Sequence, residues 1–132
     1  MNELMEWLAN YAFEHGIGYI LTNQLAPDTP SSSDGAHRLV IINMNWKFPK
    51  EIPFSFAHEI GHVLNGDKGK NYFNANSLDL KTEYQANLTG IKILKDFCEN
   101  HDISISSPIK FCEVFGIPEK LDYVVSLELS KD

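Results

Sequence analysis

The chain has 132 residues, of which 43% are hydrophobic and 22% charged; this is enough to bury one core and excludes a disordered or fibrous protein. The formal net charge of −7 argues against nucleic acid as a direct partner, because binding phosphates requires clustered Lys and Arg. Two cysteines, Cys98 and Cys112, are too few for a disulfide framework, and we expect both to be reduced and mostly buried.

The N-terminal half predicts one helix and two strands. An amphipathic helix is expected over residues 2–14 and a strand over 17–22. Residues 23–35 hold two prolines and a serine run, so they predict a long exposed loop, either disordered or functional, for example a lid. The run Leu39-Val40-Ile41-Ile42 predicts a second strand, over 38–44, that is buried on both faces.

The C-terminal half predicts four helices. Pro53 opens the first, which runs to about residue 65 before Gly66, and a loop rich in Gly, Asn and Lys follows. The remaining helices are expected at residues 78–100, 108–115 and 118–130. Since there is no internal repeat and no linker, residues 1–132 predict a single α+β domain with a small sheet of about three strands.

The segment after the second strand carries a metal-binding pattern. His58-Glu59-Ile60-Gly61-His62 fits H-E-x-x-H, and on a helix the two histidines lie on one face, where both imidazoles can bind one metal ion. A helical wheel puts both histidines and Glu59 on one arc and apolar residues on the other, so we expect the apolar side to be buried and the other side to present the histidines and the glutamate. Gly61 would remove side-chain bulk near the metal. The alternative is a polar helix face in which two histidines are four apart by chance.

A third ligand is predicted on the next helix. Glu83 lies in the middle of the apolar arc of helix 78–100, where an unpaired carboxylate would cost several kcal/mol. A zinc ion bound to the two histidines would compensate its charge, and the alternative is a salt bridge to a distant base such as Arg38. Asn87, one turn on, either orients Glu83 as a supporting group or is an ordinary packed amide. Weaker candidates for the third ligand are Asp67, Asp79 and His101.

These residues predict a hydrolytic zinc site with one Zn²⁺ per chain. Three protein ligands leave a position for water, whose pKa zinc lowers, and zinc also polarises a scissile carbonyl. Glu59, on the same face but not a ligand, would take the proton from water and pass it to the leaving amine. The group that stabilises the oxyanion is left open among Tyr72, Tyr84, Tyr123 and His101.

The two motifs together resemble the ImmA/IrrE family of small metallopeptidases. Residues 53–62 are similar to that family's F-x-x-A-H-E-[IL]-G-H helix, and residues 83–87 match its E-x-x-A-N. The resemblance implies a zincin-like domain in which His58, His62 and Glu83 bind zinc and Glu59 is the base. It also implies cleavage of a helix-turn-helix repressor of a phage or mobile element. Lys95-Asp96 departs from the apolar stretch that often follows the second motif in the family.

The leading hypothesis is therefore an endopeptidase that cuts a DNA-binding repressor, which as a basic protein would suit this acidic chain. Its substrate could pair as an added strand with residues 38–43. The alternative is a catalytically weak or inactive zinc-binding module that sequesters a repressor or toxin partner. A hydrolase of small amides is a third possibility. No apolar run reaches the length of a membrane span and no leader is evident, so we expect a cytoplasmic protein without membrane partners.

Overall fold

The computed structural model describes residues 2–67, 70–72 and 80–131. This part of the chain has the α+β architecture expected from the sequence, with five α-helices and one mixed sheet. None of these helices is long and apolar enough to cross a bilayer. In chain order the elements are α1 (Glu3–Glu14), β1 (Gly18–Thr22), β2 (Ser32–Asp34), β3 (Leu39–Asn43), α2 (Ile52–Leu64), β4 (Lys70–Tyr72), α3 (Leu80–Asn100), α4 (Pro108–Phe115) and α5 (Asp122–Leu129).

Local side-chain caps fix several helix ends. The Asn2 side chain accepts a hydrogen bond from the backbone N–H of Met5 at 2.8 Å and so begins α1. Ser107 caps α4 in the same way, and Gly116, with φ of 71°, ends that helix in the left-handed conformation. The last helix is shorter than predicted, because a 3-10 turn over Glu119–Leu121 precedes α5.

The sheet has the strand order β1-β3-β2-β4. β3 pairs in parallel with β1, whose Gly18 lies opposite Leu39, and antiparallel with β2, whose Ser33 lies opposite Val40. β4 pairs antiparallel with β2 on its other side. The hypothesis that a substrate strand pairs with residues 38–43 is therefore wrong, because β3 already has a partner on each side. The edges of the sheet are β1 and β4.

Two short strands lie in segments that the sequence predicts as loops. β2 and β4 have three residues each, and their sequences, Ser-Ser-Asp and Lys-Asn-Tyr, are polar. Segments this short show no period-two alternation of apolar residues, which is the usual signal of a strand. Their strand conformation depends instead on the neighbours that they pair with.

The loop over residues 23–31 is fastened to the end of β3. The fully buried Asn43 donates from Nδ2 to the carbonyl oxygens of Ala26 at 2.8 Å and Thr29 at 2.7 Å. Asn45 donates in the same way to Leu25 at 2.9 Å. Three backbone carbonyls of a loop that was expected to be disordered or a lid thus have fixed hydrogen-bond partners.

Helix α2 lies in the middle of the molecule. It packs against α1, β2, β3 and α3, and its residues from Phe54 to Val63 are all buried. The expectation of one exposed side is wrong, because α3 covers the face that carries the histidines. Around α2 the core includes large side chains from the other helices and the sheet, among them Leu8, Ile42, Ile91, Leu94, Phe111 and Phe115.

Two glycines allow α2 and α3 to pack backbone against backbone. A Cβ at Gly61 would lie 2.9 Å from the carbonyl oxygen of Ala86, and one at Gly90 would lie 3.2 Å from the backbone nitrogen of His58. Gly61 therefore leaves room for α3, not for a metal as the helical wheel suggested. The close approach brings the first turn of α3, with Glu83, beside the histidines of α2.

Candidate metal centre

Three side chains converge between α2 and α3, and we call them the donor cluster: His58, His62 and Glu83. The Nε2 atom of His58 lies 3.1 Å from Oε1 of Glu83, and Nε2 of His62 lies 2.8 Å from Oε2 of the same carboxylate. One nitrogen or oxygen from each of the three lies within 4.8 Å of the others, so the cluster could hold a metal ion. The imidazole rings are nearly perpendicular, at 88°.

Glu83 is half-buried in this position, since its side chain keeps 17% of its exposure. The alternative partner considered from the sequence, Arg38, is engaged elsewhere. Its guanidinium donates to the carbonyl oxygens of His15 at 2.7 Å and Gly16 at 3.2 Å. The Glu83 carboxylate therefore faces the two histidines, and the salt-bridge hypothesis with Arg38 is wrong.

Asp67 lies behind His62 and is not part of the cluster. Its Oδ2 is 3.0 Å from Nδ1 of His62, on the opposite side of the ring from Glu83. A carboxylate at this position accepts the Nδ1 proton and leaves the lone pair of Nε2 pointing at the donor cluster, as second partners of metal-binding histidines do. Asp67 was considered from the sequence as a ligand, and the structure gives it this orienting position instead.

The other rival ligands do not join the cluster. His101 stacks on Phe97, with ring centroids 4.1 Å apart, and its Nε2 lies 3.5 Å from a carboxylate oxygen of Glu3. Asp79 lies outside the described residues. Asn87 hydrogen-bonds His58 and weakly opposes the effect of burial, which lowers the pKa of that ring. Asn87 therefore supports His58, whereas the sequence suggested that it orients Glu83.

The electrostatics of the cluster favour an ionised Glu83. Burial by itself raises the pKa of this carboxyl, but its hydrogen bonds and charge interactions with His58 and His62 outweigh burial and lower the pKa to about 2. Burial also dominates at His58 and lowers its pKa, although Glu83 acts in the opposite direction. At His62 burial lowers the pKa, and Glu83 and Asp67 together reverse this and raise it. A carboxylate and a neutral His58 ring are the forms that bind metals.

Glu59 is enclosed beside the cluster, with none of its surface exposed. Burial raises the pKa of its carboxyl well above the ordinary value; the Ser33 hydroxyl on β2 lowers it somewhat, and the Glu83 charge raises it further. Among the described residues no conventional hydrogen bond reaches either carboxyl oxygen of Glu59.

A cleft of about 360 Å³ opens beside the donor cluster, where His58, Glu83 and Asn87 form part of its lining. We call its two sides the cleft walls: residues 46–51, just before α2, and residues 118–121, just before α5. The sequence reasoning missed this cleft. The signal available for it was the aromatic pair Trp46 and Phe48 in an otherwise polar connection.

The oxyanion-stabilising group stays unassigned. Tyr84 and Tyr123 are exposed, at 42% and 69%, and neither lines the cleft. His101 is engaged with Glu3 and Phe97, as described above. The side chain of Tyr72 is outside the part of the chain that the structure describes.

Comparisons of the chain with protein-family models, with curated proteins and with solved structures give no match. The similarity to ImmA/IrrE peptidases therefore depends on residues 53–62 and 83–87 alone, and it stays a prediction.

Proposed function

We propose that the chain is a zinc-dependent endopeptidase whose ligands are His58, His62 and Glu83 and whose general base is Glu59. The observation that carries the proposal is the convergence of two imidazole nitrogens and one carboxylate beside an open cleft, with a second carboxyl buried next to them. This combination has a ligand set and, separately, a group that can move protons.

The donor set fits zinc in number, chemistry and spacing. Two histidine nitrogens and one carboxylate oxygen are a known ligand set of catalytic zinc, which keeps its fourth position open. Bonds of about 2.0–2.1 Å in tetrahedral geometry put neighbouring ligand atoms roughly 3.3 Å apart. In the structure the Nε2 atom of His58 lies 3.1 Å from Oε1 and that of His62 lies 2.8 Å from Oε2 of Glu83, and one donor atom from each residue lies within 4.8 Å of the others, so the three side chains need to adjust to bind one ion. A zinc ion held here would supply an activated water and polarise the scissile carbonyl.

Glu59 is proposed to accept the proton of the attacking water and deliver it to the leaving amine. Its neighbour in sequence is a ligand, His58, and both residues lie on a helix that is buried throughout, so the spacing between base and ligand is rigid. Ser33 is close enough to lower the pKa of Glu59, which supports a role in positioning the carboxyl group. A preorganised base of this kind contributes to catalysis because it needs no rearrangement in the transition state.

The substrate is proposed to be an extended segment of a partner protein, added to the sheet at β4. β2 carries Ser33, which influences Glu59, and β4 pairs with β2 on the outer side, so β4 is the edge strand that adjoins the strand carrying Ser33. Backbone hydrogen bonds to an edge strand hold a peptide without regard to its sequence. The net charge of −7 supports a basic partner, and with the ImmA/IrrE resemblance we propose a DNA-binding repressor.

The test separates metal binding from cleavage. Metal content is measured by mass spectrometry on the wild-type protein and on Glu59→Gln, and both are assayed against a library of short fluorogenic peptides. We expect one zinc per chain in both proteins and cleavage by the wild type alone, because Gln cannot act as a base. Glu99→Gln, at an exposed position of α3, is the matched control and should behave like the wild type.

Two results would overturn the proposal. A wild-type protein that takes up no zinc when it is supplied would leave the donor cluster as a chance arrangement. Cleavage by Glu59→Gln at the wild-type rate would remove Glu59 from the mechanism. Zinc binding without cleavage of any peptide or partner protein would instead favour the alternative, a zinc-containing module that acts by binding.

A further inference from the structure

Two lysines, one from each cleft wall, line the cleft. Lys47 belongs to the wall at residues 46–51 and Lys120 to the wall at residues 118–121. Both side chains are exposed, and neither forms an ion pair with any carboxylate in the described residues. The chain has a net charge of −7, but the two lysines balance Glu51 and Glu83 among the residues that line this cleft.

Lys47 is held in place by two aromatic rings. Its Nζ lies 5.5 Å from the ring centroid of Trp46 and 5.5 Å from that of Phe48, within the range of cation–π attraction. The two rings contact each other edge to face, with centroids 6.4 Å apart. The two rings thus position the Lys47 ammonium but do not neutralise its charge, because they are uncharged.

The acidic residues that line the cleft are already engaged. Oε1 of Glu51 accepts a hydrogen bond from the indole Nε1–H of Trp46 at 2.9 Å, and the Glu83 carboxylate faces the two histidines. Neither carboxylate pairs with a lysine in the described residues. Lys47 and Lys120 are therefore the two lysines that line the cleft without a carboxylate partner in the described residues, whereas Glu51 keeps its charge because indole is a neutral donor.

A backbone contact joins the two walls. Gly116, with φ of 71°, approaches the carbonyl of Lys50 so closely that a Cβ on it would lie 1.6 Å from that oxygen. The segment leading to Lys120 is thereby fixed against the segment that contains Lys47. The backbone segments that carry the two lysines are therefore in contact before any ligand binds, which lowers the entropic cost of binding.

We propose that this cleft is a specificity subsite that binds an Asp or Glu side chain of the substrate, next to the bond that is cut, between Lys47 and Lys120. The inference depends on the proposed peptidase function for its substrate class, because the cleft adjoins His58 and Glu83. Its basis is charge complementarity: two unpaired cations select an anion, and the surrounding acidic surface repels an acidic segment elsewhere. The subsite therefore recognises one acidic residue within a partner that is basic overall.

The subsite is tested by peptide binding, so that its outcome does not depend on catalysis. Zinc-loaded Glu59→Gln is titrated, with fluorescence polarisation as readout, with peptides from the library that differ at one position by Glu, Gln or Lys. We expect the Glu peptide to bind about tenfold more tightly than the Gln peptide, as two partly exposed ion pairs would give. The preference should weaken as salt is raised, because exposed charges are screened.

Substitutions then identify the lysines. In the same background, Lys47→Gln and Lys120→Gln should each reduce the Glu-over-Gln ratio, and the double substitution should bring it close to one. The charge reversal Lys47→Glu with Lys120→Glu should shift the preference to the Lys peptide, a gain that an unfolded protein cannot produce. Lys92→Gln, at an exposed position on α3, is the matched control and should keep the original ratio.

The outcomes separate the subsite from the peptidase function. Equal binding of Glu and Gln peptides, or an unchanged ratio in the double variant, would overturn the subsite whether or not the wild type cleaves. A wild type that cleaves nothing, combined with a lysine-dependent preference in binding, would support the subsite and overturn the peptidase.

Discussion

The donor cluster and the cleft walls adjoin each other, yet they are built in different ways. The donor cluster stands on two helices that pack through Gly61 and Gly90, and its histidines are fully enclosed. The cleft walls are short segments from distant parts of the chain, each with one 3-10 turn, and the contact of Gly116 with Lys50 joins them. The positions of the donor cluster depend on helix geometry, and those of the cleft walls depend on a few tertiary contacts. The donor cluster is suited to a site whose geometry must stay constant. The cleft walls can vary in sequence without changing that geometry.

The largest expected effect is on the donor cluster itself. His58→Ala removes one of the three proposed ligands, and zinc affinity should fall by about a thousandfold or more, since loss of a mere supporting partner costs 10–100-fold. Competition with a chromophoric chelator measures the affinity. His37→Ala, whose side chain is 78% exposed, is the matched control and should bind zinc like the wild type. Unchanged affinity in His58→Ala would contradict the assignment of the ligands.

The second prediction separates the two regions. Gly116→Ala adds a Cβ where the Lys50 carbonyl lies and strains a residue with positive φ, so the free energy of unfolding should fall by about 3 kcal/mol. Zinc affinity of the folded protein should hardly change, because the donor cluster does not touch this contact. Chemical denaturation and the chelator assay give the two values.

Gly66→Ala is the matched control for this substitution. Gly66 also has a positive φ, of 81°, but nothing lies within 4 Å of its Cβ position. Only the backbone strain remains there, so the loss should be about 1 kcal/mol. Equal losses at the two glycines would mean that the contact with Lys50 does not hold the cleft walls together.

The third prediction concerns the loop behind one cleft wall. Lys47 donates its backbone N–H to the Pro27 carbonyl, so the 23–31 loop that Asn43 fastens also supports that wall. Asn43→Ala removes two buried donors, and the free energy of unfolding should fall by about 2 kcal/mol. Asn45→Ala, an exposed amide with one bond to the same loop, should cost less. Equal costs in denaturant titrations would contradict the role of Asn43.

The smallest expected effect tests whether Asp67 belongs to the donor cluster. Asp67→Asn keeps an oxygen that can accept the His62 Nδ1 proton but loses the charge, so zinc affinity should fall by about tenfold. Asp28→Asn, an exposed change on the 23–31 loop, should leave the affinity unaltered. A loss as large as that of His58→Ala would make Asp67 a ligand, contrary to its position behind the ring.

The contrast between the donor cluster and the cleft walls also explains what the sequence could predict. The spacing of His58 and His62, and the unpaired carboxylate on an apolar arc at Glu83, are consequences of helical periodicity, which a sequence shows directly. The helices and the two longer strands follow from the same kind of pattern. Their α+β class is confirmed, and the zincin-like identity of the domain stays a prediction.

The features of the fold and of the site that the sequence did not predict depend on contacts between residues that are distant in the chain. β2 and β4 are too short and polar to show alternation, and the role of Asp67 depends on how the chain turns after α2. The meeting of Gly116 with Lys50 has no local signal, because a glycine after a helix is explained by the helix end alone. The cleft was missed for this reason.

The burial of α2 has a consequence for how such a chain can change over time. Because Phe54 to Val63 are all buried, core packing constrains the sequence of this helix in addition to any role of its polar residues in the site. Under the proposed function, a lineage that lost catalysis would keep the apolar residues of α2 and would be free to exchange Glu59 for an uncharged residue of similar size. Under that proposal, Glu59, and not the rest of the helix, would distinguish a catalytic chain from a non-catalytic one.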